Sequence, residues 1–84
     1  MAKYYYTYGS DGEQPFIGGW TEVEAVNHQA ANKLFRIAHP DKTPGILNCA
    51  FVYTEEQFNH TNMPVWGNFG RFCVERLSLN QEVL

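Results

Sequence analysis

Lys3-Tyr4-Tyr5-Tyr6-Thr7-Tyr8 decides the fold of this 84-residue chain. Tyr4, Tyr6 and Tyr8 take every second position, with Tyr5 and Thr7 between them. That is the period of two by which a strand sends successive side chains to opposite faces. Gly9-Ser10-Asp11-Gly12 then supplies turn chemistry, and Pro15 and Gly18-Gly19 continue a loop. Alternation resumes over residues 20–26, with Thr21, Val23 and Ala25 on one face and Trp20, Glu22 and Glu24 on the other. One face of this second strand belongs to the core and the other largely to water. The two strands form an antiparallel hairpin that opens the chain.

Beyond the hairpin the period changes. Asn27 is a good N-cap, because its side-chain oxygen can accept an orphaned backbone N–H of the first helical turn. Ala30, Ala31, Leu34, Phe35 and Ala38 then recur at three- and four-residue intervals, while Gln29, Lys33 and Arg36 face outward. Pro40 disfavours helical geometry at His39 and ends the helix there. Residues 41–45 read as a turn, and residues 46–53 as a buried third strand. Thr54-Glu55-Glu56-Gln57 fits a capping box that opens a short second helix through Phe58 to about His60. Residues 61–70 have loop composition with large apolar side chains, and such a loop either folds over the core or is a contact surface. Residues 72–79 alternate as a last strand, and residues 80–84 are expected to fray. The predicted order is β-β-α-β-α-β in one α+β domain, residues 1–84, a mainly antiparallel sheet with helix packed on one face.

Composition bounds the function. Six Lys and Arg against nine Asp and Glu give a net charge of −3, with neither sign gathered into a run. Direct nucleic-acid binding is not expected, since it needs a basic stripe to neutralise phosphates. No apolar stretch approaches the roughly 20 residues of a membrane span, and the N-terminus lacks the apolar segment of a secretory signal, so a cytoplasmic protein is expected. There Cys49 and Cys73 are reduced thiols in apolar, core-like contexts.

No catalytic, cofactor or metal signature stands out. His28, His39, His60, Cys49 and Cys73 lack the closely spaced pairs of a structural zinc site. An apolar strand context raises a thiol pKa and leaves the group inert. Glu55 and Glu56 are accounted for by the helix dipole. Gly18-Gly19 and Gly67-Asn68-Phe69-Gly70 do not match the phosphate-cradling loops and read as turns. His39-Pro40-Asp41 resembles the signature loop of J-domain co-chaperones, which projects between two antiparallel helices. The segment after it here is β-like, so termination of the helix by Pro40 is the better account.

Two Trp, five Tyr and six Phe are more than so small a core strictly needs. Tyr and Trp often anchor protein interfaces, because they bury large rigid surfaces at low entropic cost. Trp20, Met63, Trp66, Phe69, Tyr4 and Tyr6 are therefore the candidate protein-binding residues. A competing reading stacks a nucleotide or other small ligand on the aromatics, with Arg36, Arg71 or Arg76 meeting a phosphate, and so requires a concave, basic, aromatic-lined pocket.

The phrases Gly18-Gly19-Trp20-Thr21-Glu22-Val23-Glu24-Ala25, His39-Pro40-Asp41-Lys42-Thr43-Pro44-Gly45-Ile46-Leu47-Asn48-Cys49-Ala50, Tyr53-Thr54-Glu55-Glu56-Gln57-Phe58 and Gly67-Asn68-Phe69-Gly70 together resemble a family of small proteins of phages, plasmids and integrated elements of Gram-positive bacteria. That resemblance implies an accessory factor that binds a protein partner, such as a defence nuclease or its complex, in the manner of anti-CRISPR inhibitors. It implies no active site, and a homodimer is compatible with it.

Overall fold

The computed structural model describes residues 1–79, so the fraying expected of residues 80–84 lies outside the described residues. Its elements are β1 (Ala2–Thr7), β2 (Trp20–Ala25), α1 (His28–Ala38), β3 (Phe51–Thr54), α2 (Glu55–Asn59), α3 (Met63–Trp66) and β4 (Cys73–Ser78). The sheet runs β3-β1-β2-β4. β1 pairs antiparallel with β2 and with β3, and β4 joins β2 in parallel. The α+β architecture and the opening hairpin are as the alternation predicts.

Alternation along β1 feeds two cores. Tyr4, Tyr6 and Tyr8 point to one face, where they pack with Val23 and Ala25 of β2 and with Ala31, Leu34 and Phe35 of α1. Tyr6 stacks on Phe35 with ring centroids 4.4 Å apart, and its hydroxyl donates to Asn32 Oδ1 at 2.7 Å. Tyr5 points to the opposite face, where it stacks on Phe58 of α2 at 4.1 Å. Trp20 completes that second cluster, with its ring edge-on to Phe58. Helix therefore covers the sheet on one face, as expected of α1, and α2 adds a smaller cap on the other.

This double cover corrects three of the candidate contact residues. Tyr4, Tyr6 and Trp20 are buried, with Trp20 only 5% exposed. β1 is an interior strand with a neighbour on each side and a helix over each face, so tyrosines of both parities go inside.

Local signals held where they named a hydrogen bond. Asn27 Oδ1 accepts from Ala30 N at 2.8 Å. Thr54 Oγ1 accepts from Gln57 N at 3.2 Å, and Gln57 Oε1 accepts from Thr54 N at 3.0 Å, closing the capping box. They failed where apolarity alone was the guide. The strand predicted over residues 46–53 is confined to Phe51–Thr54. Ile46 N donates back to Thr43 O, and Cys49 N to Leu47 O, so tight turns occupy residues 43–49 while Leu47 and Cys49 pack on the first core. Residues 63–66, predicted as loop, form α3, where Pro64 sits in the first turn and forfeits no intrahelical bond.

Candidate protein-contact surface

The surface grows from a four-residue turn. Asn68 N donates to Arg71 O at 2.7 Å, and Arg71 N donates to Asn68 O at 3.1 Å. The two residues between them, Phe69 and Gly70, have φ of 51° and 77°. Positive φ at both central positions is the pattern of a type I′ turn, which glycine and asparagine adopt readily. For phenylalanine the left-handed region costs roughly 1–2 kcal/mol, because Cβ crowds the following carbonyl. Phe69 is the only non-glycine residue with positive φ among the described residues, and it is 68% exposed.

Asn68 holds this strained turn in place. Its side-chain amide donates to Tyr8 O at 2.9 Å and to Gly19 O at 3.0 Å, and its own carbonyl accepts from Gly19 N at 2.9 Å. The turn is thereby fastened to the end of the β1–β2 hairpin. Such close approach requires the Gly18-Gly19 pair. A Cβ on Gly18 would lie 2.6 Å from Asn68 O, and one on Gly19 would lie 2.5 Å from Phe72 O.

The neighbouring apolar side chains divide between core and surface. Met63 is half-buried against the Tyr5–Trp20–Phe58 cluster, so it anchors α3. Trp66, at the other end of α3, is 75% exposed, and Val65 is exposed beside it. Phe72 packs edge-on to Trp20 at 5.8 Å yet remains 49% exposed. Ile17 is exposed next to Gly18, against which the Phe69 Cβ rests. Of the six candidate residues, then, Trp66 and Phe69 present themselves to solvent. Phe72 and Ile17 escaped the sequence reading. The turn at Gly67-Asn68-Phe69-Gly70 and Phe69 itself are legible in the sequence, whereas nothing in the spacing marks Ile17 or Phe72 as exposed.

Other constellations are engaged within the fold. His39 Nε2 meets Glu75 Oε1, which also accepts from Thr21 Oγ1 at 2.8 Å, and Thr21 in turn bonds the Tyr8 hydroxyl. This chain of side chains ties the end of α1 to β4, to β2 and to Tyr8, the residue after β1. Asp41 accepts from Arg36 Nε at 3.0 Å and from Gly45 N at 3.2 Å. Residues His39 and Asp41 of the co-chaperone-like tripeptide are thus both occupied internally, and the helix that next follows them is the five-residue α2. Burial pushes the Cys49 thiol up to about 11, which suits a packing residue and not a nucleophile.

The three arginines do not converge. Arg36 is paired with Asp41 on the α1 side, Arg76 pairs with Glu22 at 3.3 Å on β4, and Arg71 stands on the turn. An apolar cavity of about 190 Å³ lies between α1 and the strand ends, lined by residues that include Val26, Ala30, Ile37 and Leu79 but no aromatic. Among the described residues no group of three or more His, Cys, Asp or Glu is placed to hold a metal ion, and no helix is long and apolar enough to cross a membrane.

The fold and this surface define a small α+β protein that displays one exposed aromatic, Phe69, on a hydrogen-bonded turn, with Trp66 of α3 and Phe72 exposed on either side of it in the chain. Comparison with family models, with curated proteins and with solved structures finds no match to this chain.

Proposed function

We propose that this chain is a non-enzymatic protein-binding factor whose anchor is the aromatic turn of residues 68–71 together with Trp66. The observation that carries the reading is Phe69, a bulky side chain kept in a disfavoured backbone conformation and aimed at solvent, with three hydrogen bonds of Asn68 holding it there. Strain of this kind persists only where the surroundings impose it, and it clusters at binding sites. A pre-positioned aromatic also loses little freedom on association, which raises affinity without added area.

The most specific form of the proposal follows the resemblance of whole sequence phrases to proteins of mobile genetic elements. In that form the chain acts in the cytoplasm of a bacterial host and inhibits a defence nuclease by stoichiometric occlusion, as anti-CRISPR proteins do. Occlusion requires a complementary surface and no reacting groups.

The test is affinity capture of the tagged chain from a Gram-positive lysate, with Trp66→Ala and Phe69→Ala run beside it and bound proteins and small molecules both identified. The expected outcome is a stoichiometric protein partner that both variants lose, at a cost of about 2 kcal/mol or some 30-fold in affinity for a central anchor. Both variants should keep the fold, since both side chains are largely exposed. A partner retained by both variants, or a nucleotide captured with no protein, sinks the proposal.

A further inference from the structure

We propose that the partner surface receiving this turn is acidic, an apolar pocket for Phe69 flanked by a carboxylate that pairs with Arg71. The inference rests on the contact reading above and adds the chemistry of the occupant. Residues 57–74 contain no Asp or Glu, although the chain as a whole carries a net charge of −3. Arg71 is the one Lys or Arg in that run. His60, the run's other basic side chain, is exposed and lies with Nδ1 2.7 Å from Glu56 O.

The other two arginines are satisfied within the chain. Arg36 holds Asp41, and Arg76 holds Glu22. Arg71 is exposed, and among the described residues its guanidinium has neither an ion pair nor a hydrogen-bond partner. It closes the same turn that carries Phe69, two residues further along the chain. A planar guanidinium with its donors unused, on the same turn as an exposed aromatic, is matched by a carboxylate at the rim of an apolar pocket. A nucleic acid would need several cations along its backbone, and one arginine provides no such track. A second copy docked turn to turn would set Arg71 against Arg71.

The experiment is selection from a phage-displayed library of a small folded domain with randomised surface loops, performed in parallel on the wild-type chain, Phe69→Ala and Arg71→Glu. Binders to the wild type should be rich in Asp and Glu beside aliphatic or aromatic residues, and should lose affinity for Phe69→Ala. Selection on Arg71→Glu should enrich Lys and Arg instead. A selected acidic binder should weaken about two- to fivefold on Arg71→Ala at low salt, and less as salt screens the pair. If binders depend on Phe69 but show no acidic bias, or keep the same bias with Arg71→Glu, the contact surface stands and the acidic partner falls. Binders to this face indifferent to Phe69→Ala would overturn both. Sedimentation showing a dimer that Phe69→Ala abolishes, or a single-stranded oligonucleotide bound at the turn and lost on Arg71→Glu, would replace the acidic partner with a second copy or a nucleic acid.

Discussion

Phe69 sets a stability cost against a contact. Replacing it by asparagine puts an Asn-Gly pair at the centre of the turn, the pair a type I′ turn prefers. Phe69→Asn should therefore raise unfolding stability by about 1 kcal/mol while removing the exposed aromatic. Urea denaturation measures this directly, and a loss of stability would mean that Phe69 contributes more by packing than its exposure suggests. Trp66 and Phe69 stand out in the sequence because loop composition with large apolar side chains is unusual, and both are exposed in the fold. The excess of aromatics pointed wrongly at Trp20, Tyr4 and Tyr6, which lie on strands, because a one-dimensional pattern gives the parity of a side chain and not what lies above it. Parity put Trp20 on the face away from Val23, and only the folded chain shows Phe58 and Phe72 covering that face.

At the scale of elements, β4 is the strand least secured by local sequence. It is the last in the sheet order, pairs with one neighbour only, and carries a register shift opposite Trp20 and Thr21. Parallel pairing across so long a stretch of chain could not be read from residues 72–79, because alternation is the same for either direction. What secures the strand is Glu75, which reaches both His39 at the end of α1 and the fully buried Thr21 on β2. Glu75→Ala leaves Thr21 and His39 without that acceptor and should destabilise the protein by about 1–3 kcal/mol, the cost of buried polar groups losing a partner. Glu75→Gln keeps an acceptor oxygen for Thr21 and should cost less. Hydrogen exchange offers the sharper check: β4 amides should lose protection in Glu75→Ala before those of β1. Uniform loss across the sheet would show that β4 is not held separately. The caps, in contrast, were legible because each is a closed local circuit, Asn27 to Ala30 and Thr54 to Gln57, whose partners lie three residues apart.

For the whole molecule, the tyrosine-rich core fixes the direction of its alkaline response. Burial, and then the charges of Glu22 and Glu55, push the Tyr5 phenol from 10.0 up to about 12. Burial likewise raises Tyr6 and Tyr8, and it lifts Cys49 from 9.0 to about 11. All four groups are held in their neutral, protonated forms by the fold, whereas the unfolded chain releases those protons at ordinary values. Above pH 9 the unfolded state therefore binds fewer protons than the native state, and stability falls as pH rises. The contribution of these groups is fully present below pH 9, fades first through Cys49 and then through Tyr5, and is lost for Tyr5 above about pH 12. Urea midpoints measured from neutral to strongly alkaline pH should drop across this window, with ionisation of Tyr5, Tyr6 and Tyr8 appearing in step with unfolding. The surface turn holds no tyrosine, so partner binding should outlast neutral pH unchanged until the core itself begins to open. Ionisation of Tyr5, Tyr6 and Tyr8 that runs to completion while the midpoint stays level would show that solvent reaches these phenols in the native state, and that helix does not seal the sheet on both faces.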